Sequence, residues 1–468
     1  MAEHWPGGFF NNGVLLIEQT YSWRQKAATL LSILYPIFIT QLAYCAINFF
    51  DTTMSGHASP DDLAGVAIGS NLWMPVFTAV GGVLLAVTPI MAQLHGAKRS
   101  VEVPAVVAQG IYLALLLAAA TIGLGAVTVT ALLGQLNLEP AVFSIAQRFL
   151  GAIALGVAPF FVNMVLRNFI DALGYTRVTM LIALCALPIN ICLNYILVFG
   201  KFGFPRLGGV GSGYASALTY WCITIMSVLV VQKVAPFRDY RLLTNWSRPS
   251  WPALKEQLGI GLPIGIAIFC ETSIFGVVAL FMSHFGTLTI AAHQAAINFV
   301  SLIYMLPLSI SMALTIVVGF ETGARRLGDA RQYGFLGIGT AVCLALISAG
   351  VLVLYNEPVA ALYSDDSAVK LLIQSFLVYA AFFQLSDAVA APIQGILRGY
   401  KDVTVTFVMA LVSYWVIGLP VGYWLAGDSS YGAYGYWIGF IVGLAAGAVG
   451  LAVRLSYVQR RTSRLTEE

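Results

Sequence analysis

The sequence predicts an all-α membrane protein: twelve transmembrane helices in two pseudo-symmetric six-helix lobes. Three observations carry this. Hydrophobic residues make up 59% of the 468-residue chain and charged residues only 10%. Apolar runs of about twenty residues recur from end to end, each long enough to cross a hydrocarbon core as a helix. The two halves of the chain also repeat each other at a fixed spacing. The mean hydropathy of +0.84 is far above what a soluble domain tolerates. An outer-membrane barrel would instead show alternating strands of about ten residues. The net charge of +3 carries no hint of a nucleic-acid partner.

Reading from breaker to breaker gives spans over 27–53, 62–93, 103–133, 140–168, 175–199 and 210–232 in the first half. Those of the second half are 258–284, 288–322, 331–355, 367–397, 403–426 and 431–457. The first twenty residues contain Glu3, Glu18 and tandem glycines and lack a basic start, so they do not read as a signal peptide. Residues 1–26 are expected to be a cytoplasmic extension and 458–468 a cytoplasmic tail. The stretch 233–257, with Arg238, Arg241 and Arg248, is the expected linker between a lobe over 27–232 and a lobe over 258–457.

Basic residues set the orientation. Of 24 Lys and Arg, 20 fall in the N-terminal segment, alternate connections, the central linker and the tail. Only Arg148, Lys201, Arg206 and Lys370 fall on the other side. The positive-inside rule therefore places both termini in the cytoplasm. Arg398 and Lys401 are counted here as residues of the connection between the tenth and eleventh spans.

The repeat has a constant offset of 227: Pro36 meets Pro263, His57 meets His284, Asn71 meets Asn298, Gly96 meets Gly323 and Arg99 meets Arg326. A weaker echo, Gly174-Tyr175 against Gly399-Tyr400, needs a shifted register. Six spans per half is an even number, so both copies cross the membrane in the same direction. Two such bundles form the architecture of a carrier, with a site that opens first to one side and then to the other.

Three carboxylates lie inside spans: Asp51 in the first, Glu271 in the seventh and Asp387 in the tenth. An ionised carboxylate in hydrocarbon costs several kcal/mol, so each faces a cavity, meets a partner or carries a proton. Such a group can exchange Na⁺ or a proton against an organic cation. Glu271 lies 16 residues beyond Lys255, and Asp387 lies 11 before Arg398. At about 1.5 Å per residue both sit roughly 16–24 Å from the cytoplasmic face, at similar depth, with no cationic side chain expected beside them. In the repeat register Asp51 meets Val278 and Glu271 meets Tyr44, so each half holds its carboxylates independently. Glu321, a turn from Arg325, reads as part of a cytoplasmic ion pair.

Asn190 and Asn194 are one turn apart on the fifth span, where they can ligate a hard cation, hydrogen-bond Asp51 or tie helices together. Asn71, Gln294 and Asn298 are candidates to line the cavity, with helix packing as the alternative. Aromatic residues at 12% suit flat organic cations as well as an interfacial belt. The six cysteines all fall in apolar runs without CxxC spacing, so neither disulfides nor a structural metal is expected. There is no HExxH, Ser/His/Asp set or Gly-rich phosphate loop, and no soluble segment large enough for a nucleotide-binding domain. Neither an enzyme nor a primary pump is indicated. A lipid-linked precursor flippase would want a cationic cavity, whereas the expected cavity charges are acidic.

At these residues the chain resembles a known family. Phe50-Asp51-Thr52-Thr53-Met54-Ser55-Gly56 is similar to the first-helix motif of multidrug and toxic compound extrusion (MATE) transporters of the NorM-type branch. So are Gly261-Leu262-Pro263 followed by Glu271, Ala292-His293-Gln294 with Asn298-Phe299, Ser386-Asp387 with the run from Gly395 to Asp402, and Pro188 through Gly203. The resemblance covers nearly the whole chain after residue 24. It implies export of cationic drugs, dyes and toxins in exchange for Na⁺ or H⁺, without a cofactor, by a monomer in the inner membrane of a bacterium. It also implies that Glu271 and Asp387 are coupling carboxylates of the second lobe, where Na⁺ would bind. Asp51 would be their first-lobe counterpart, with Asn190 and Asn194 as its polar partners. Gln294 and Asp366 would lie near bound drug. Phe383, one turn before Asp387, stands where this branch carries a tyrosine, and Asn71 where a smaller serine occurs.

Overall fold

The computed structural model describes residues 20–136, 138–242, 244–364, 366–427 and 431–464, with Ser463 and Arg464 described by backbone alone. Residues 1–19 of the expected extension and 465–468 of the expected tail lie outside the described residues. Twelve helices among the described residues are long and apolar enough to cross a membrane. In the first half they are α1 (Trp23–Ala58), α2 (Pro60–Gly96), α3 (Ser100–Gly134), α4 (Pro140–Ala172), α5 (Thr176–Phe199) and α6 (Gly209–Lys233). In the second half they are α7 (Trp251–Phe285), α8 (Thr287–Gly323), α9 (Leu327–Leu354), α10 (Ser367–Gly399), α11 (Thr404–Gly427) and α12 (Tyr434–Thr462).

Local chemistry moves two of the expected boundaries. The α1 helix starts inside the expected extension because Ser22 and Gln25 form a capping box. The Ser22 hydroxyl accepts from the Gln25 amide at 3.2 Å, and the Gln25 side chain accepts from the Ser22 amide at 3.2 Å. The α7 helix starts at Trp251, which shortens the central connection. That connection is held to α3 by the buried Gln109, whose amide donates to the Arg248 carbonyl at 2.8 Å and accepts from the Ser250 N–H at 2.9 Å.

By packing, the chain forms two compact units. The first runs to Ser70 and from Val87 to Trp251; the second holds Asn71–Ala86 and the chain from Pro252 onward. In the first unit α4 packs along α3 and α6, and α1 along α5. In the second, α10 is central, packed against α8, α9 and α12. The division expected at the central linker is thus crossed by one segment. The α-helical ladder of α2 breaks after Leu84 and resumes at Val87. The segment before the break lies against α7 through glycines. A Cβ on Gly82 would sit 2.7 Å from the Gly265 Cα, and one on Gly265 would sit 2.6 Å from the Ala79 carbonyl oxygen. Only glycine permits so close an approach of two helices.

The repeat holds its register further than the residue identities suggest. After α2 and after α8 the chain turns through a left-handed residue, Lys98 (φ 57°) and Arg325 (φ 58°). The hydrogen bond Arg99 N–H to Leu94 O recurs as Arg326 N–H to Glu321 O, each at 2.9 Å. After α4 and α10 the left-handed residues are Gly174 (φ 89°) and Lys401 (φ 61°). There the bond Tyr175 N–H to Ile170 O recurs as Asp402 N–H to Leu397 O. The offset is 227 in both cases, so the shifted echo of Gly174-Tyr175 with Gly399-Tyr400 is replaced by the unshifted register. The left-handed position defines the turn, and either glycine or lysine can occupy it.

Candidate functional site

The candidate residues fall in two clusters, one within each unit. In the first unit, α1 carries Asp51 opposite α5 and α6. The spacing of Asn190 and Asn194 puts both side chains on one face of α5, fully buried. Both amides donate to the same carboxylate oxygen of Asp51, at 3.1 and 2.7 Å. The other oxygen accepts from the Ser216 hydroxyl of α6 at 2.6 Å. Asp51 therefore meets three neutral donors. Of the readings left open for Asn190 and Asn194, the structure shows hydrogen bonding to Asp51. Ser216 was not among the candidates, because a lone serine in an apolar helix carries no signal of its own.

In the second unit, Glu271 on α7 and Asp387 on α10 share one electrostatic neighbourhood. The charge on Glu271 acts on Asp387, and both act on Tyr304 of α8 and Tyr414 of α11. The Gln394 amide of α10 donates to Glu271 at 2.7 Å. Gln394 lies two turns further along α10 than Asp387, so the two carboxylates meet α10 at different levels. The Gln394 carbonyl accepts in turn from the Arg398 guanidinium at 3.1 Å.

This corrects the expectation of no nearby cation. Arg398 is not a loop residue: it lies in the last turn of α10 and is only 4% exposed. Gln394 and Arg398, at i and i+4, share a face of α10, and the long arginine stem brings its charge to the carboxylate network.

Tyr414 reaches this cluster from Val412–Gly418, a π-helical stretch inside α11. Such widened turns re-aim side chains and are frequent at functional sites. Periodicity at 3.6 residues could not have pointed to Tyr414. A small cavity of about 20 Å³, room for about one water, has Asp387, Tyr304, Gln384 and Ser348 among its lining residues. Phe383 does not approach the carboxylates with a polar atom; it is buried against Phe275 and Phe440 at 6.0 and 6.1 Å.

The remaining candidates are placed as follows. Gln294 and Asn298 lie one turn apart on an exposed face of α8, and Asn71 is exposed on α2. Asn298 accepts from the Tyr363 hydroxyl at 3.3 Å. Asp366 is the N-cap of α10, its carboxylate accepting from the Ala368 amide at 2.8 Å. Glu321 is fully buried and pairs with Arg326 at 2.5 Å, not with Arg325. The left-handed turn at Arg325 carries the following residue back to Glu321. Among the described residues no three of His, Cys, Asp and Glu gather as they would around a metal ion. Any Na⁺ at Glu271 and Asp387 would draw its remaining oxygens from neutral groups.

Comparison with known proteins matches the repeat and the fold. The MatE family model matches twice, at residues 36–196 and 263–424, the two copies beginning at the proline pair that opens the repeat. Curated relatives include a probable multidrug resistance protein NorM of Bacillus subtilis (strain 168), 58% identical over 448 residues, covering 96% of this chain and 99% of the relative. The protein of the same name from Bacillus anthracis is 53% identical over 445 residues, covering 95% and 98%. Among solved structures, the outward-facing conformation of a multidrug resistance MATE family transporter of the MOP superfamily superposes with a TM-score of 0.84. Its identity is 18%, over 96% of this chain and 100% of that one. The eukaryotic MATE transporter AtDTX14 gives 0.84 at 20% identity, over 94% and 98%.

Proposed function

Because the chain belongs to the MatE family, a family of transporters and not of enzymes, we propose that it is a multidrug efflux antiporter. It expels organic cations in exchange for Na⁺, with H⁺ as the alternative, by alternating access. The observation that carries this reading is the state of the carboxylates inside the helices, Asp387 buried and Asp51 and Glu271 half-buried. Asp51, Glu271 and Asp387 lie in membrane-spanning helices, and the direct hydrogen bonds to Asp51 and Glu271 come from amides and a hydroxyl, not from a cation. A carboxylate in that setting gains by binding a mobile cation, inorganic or organic. Phe383 itself supplies no oxygen to a Na⁺ shell at Asp387, whereas Tyr304, Gln384 and Ser348 around the adjacent cavity carry oxygens. Asn71, Gln294, Asn298 and Asp366 are proposed to contact the drug, and the protein is proposed to act as a monomer.

Expression in an efflux-deficient bacterial host is expected to lower ethidium accumulation. In proteoliposomes, an imposed Na⁺ or pH gradient should drive efflux, and the gradient that works identifies the ion. Unchanged accumulation with verified membrane expression would remove the drug-export reading.

The site of action is proposed to be a bacterial inner membrane, with both termini and the central linker cytoplasmic. Reporter fusions after the C-terminal residue and within 234–250 should both read cytoplasmic. A periplasmic signal from either would overturn the orientation.

A further inference from the structure

The connection between α6 and α7, residues 234–250, is folded onto helices of its own unit. Its first part is a single 3₁₀ turn, Phe237–Tyr240. Phe237 and Tyr240, three residues apart, lie on one side of that turn. Both pack edge-on against Phe169 in the last turn of α4, at 6.0 and 5.7 Å, and Phe237 also meets Tyr175 at 5.0 Å. The second part is held by α3. Besides the bonds of Gln109, the Trp246 indole donates to the Tyr112 hydroxyl at 2.6 Å, and that hydroxyl donates to the Ser247 carbonyl at 3.3 Å. The connection leaves the last residue of α6 and ends at Trp251, the first of α7, so it lies at the level where spanning helices end.

What this fold leaves outside is basic and aromatic. Arg238 and Arg241, again three residues apart, are exposed, as are Lys233 at the end of α6 and Arg248. None of the four forms an ion pair among the described residues. The only acid in the stretch is Asp239. Trp246 and Trp251 are 39% and 70% exposed. Solvation alone would account for exposed charges but not for exposed indoles, which settle at the headgroup level of a bilayer. A basic signal for insertion needs no fold of its own. Here the backbone is fixed by Gln109, Tyr112 and Phe169, so the charges are held at one level with less ordering left to lose on binding. Clustered Lys and Arg at the end of a spanning helix attract anionic lipid headgroups.

We propose that the connection is a lipid-docking strap, whose Lys233, Arg238, Arg241 and Arg248 bind the headgroup phosphates of anionic phospholipids in the leaflet it faces. The indoles of Trp246 and Trp251 seat it among the headgroups. On the proposed orientation that leaflet is the cytoplasmic one. The strap is then fastened both to its own unit and to the membrane surface, and the chain between the two halves is not a free tether. The proposal does not depend on which compounds are exported or on which ion drives export.

The test is a lipid titration of the purified full-length protein in detergent, with bound lipids counted by native mass spectrometry. Phosphatidylglycerol and phosphatidylcholine of the same acyl chains are the probes. Wild type should retain phosphatidylglycerol in preference to phosphatidylcholine. Arg238→Gln/Arg241→Gln/Arg248→Gln should bind phosphatidylglycerol roughly tenfold more weakly or worse. Arg238→Lys/Arg241→Lys/Arg248→Lys should bind as wild type, because a headgroup phosphate is held by charge. The control Arg325→Gln/Arg460→Gln/Arg461→Gln removes the same charge from exposed positions outside the strap and should also bind as wild type. All of these substitutions are at exposed positions, and a monodisperse elution profile verifies the fold of each variant. Equal retention of the two lipids by wild type overturns the proposal, as does undiminished binding by the glutamine variant of the strap. An equal loss in the control assigns the effect to overall charge and overturns it too. Displacement of the lipid by excess inorganic phosphate would make this a site for free anions and not for the membrane, and would likewise overturn it. Binding in detergent does not depend on sidedness, so a failure of the orientation is read separately, from the reporter fusions.

Discussion

Glu271→Gln is expected to abolish gradient-driven efflux, Asp387→Asn to do the same, and the double variant to be little worse than either. Both carboxylates act on one neighbourhood that also includes Arg398, Tyr304 and Tyr414. Removing either takes away one of the two negative charges that a shared cation would balance, and the drive to take up a cation falls. The expected loss of cation affinity is roughly a hundredfold, about 2.8 kcal/mol. Residues of one site give non-additive losses. The measurement is efflux in proteoliposomes under the driving gradient, with direct cation binding in parallel. Normal gradient-driven efflux in Glu271→Gln would end this account of coupling.

Asp51→Asn should also block efflux, but at a different step. Asp51 accepts from Asn190, Asn194 and Ser216, so both of its oxygens are occupied. An asparagine there keeps one acceptor and turns its amide toward existing donors. Each buried donor left unmet costs about 1–3 kcal/mol, so a lowered melting temperature should accompany the loss. Cation uptake at Glu271 and Asp387 should persist, because that cluster is built entirely from residues of the second unit. Efflux and binding assayed on the same preparation separate the two steps. Efflux at the wild-type rate, or loss of uptake at the second cluster, would contradict this assignment.

Much of this was legible in the sequence, for specific reasons. Helices in a membrane must satisfy their own backbone, so length and hydropathy locate all twelve. The spacing of Asn190 and Asn194 put both on the face that meets Asp51. What stayed hidden follows from geometry that one-dimensional spacing does not encode. Arg398 sits beside a turn, so counting it as a loop cation was natural; its burial depends on which face of α10 the last turn presents. Tyr414 is aimed by a π-helical stretch, which breaks the helical period. Asn71–Ala86 joins the second unit because the ladder of α2 breaks after Leu84 and glycine meets glycine against α7. The register after α4 and α10 was obscured because shared glycines suggested a shift where the backbone turn is unshifted.

Those turns combine two jobs in one residue. Lys98, Arg325 and Lys401 all hold left-handed backbone, at φ of 57°, 58° and 61°, a conformation that costs an L residue about 1–2 kcal/mol relative to its ordinary regions. Glycine, as at Gly174, would end the helix with less strain. A basic side chain there also sits by the negative end of a helix dipole and adds to the charge asymmetry that sets membrane orientation. Three of the four turns thus retain conformational strain alongside topological information. On the proposed orientation all three lie on the cytoplasmic side, where basic residues favour insertion, while folding would favour glycine at the same positions.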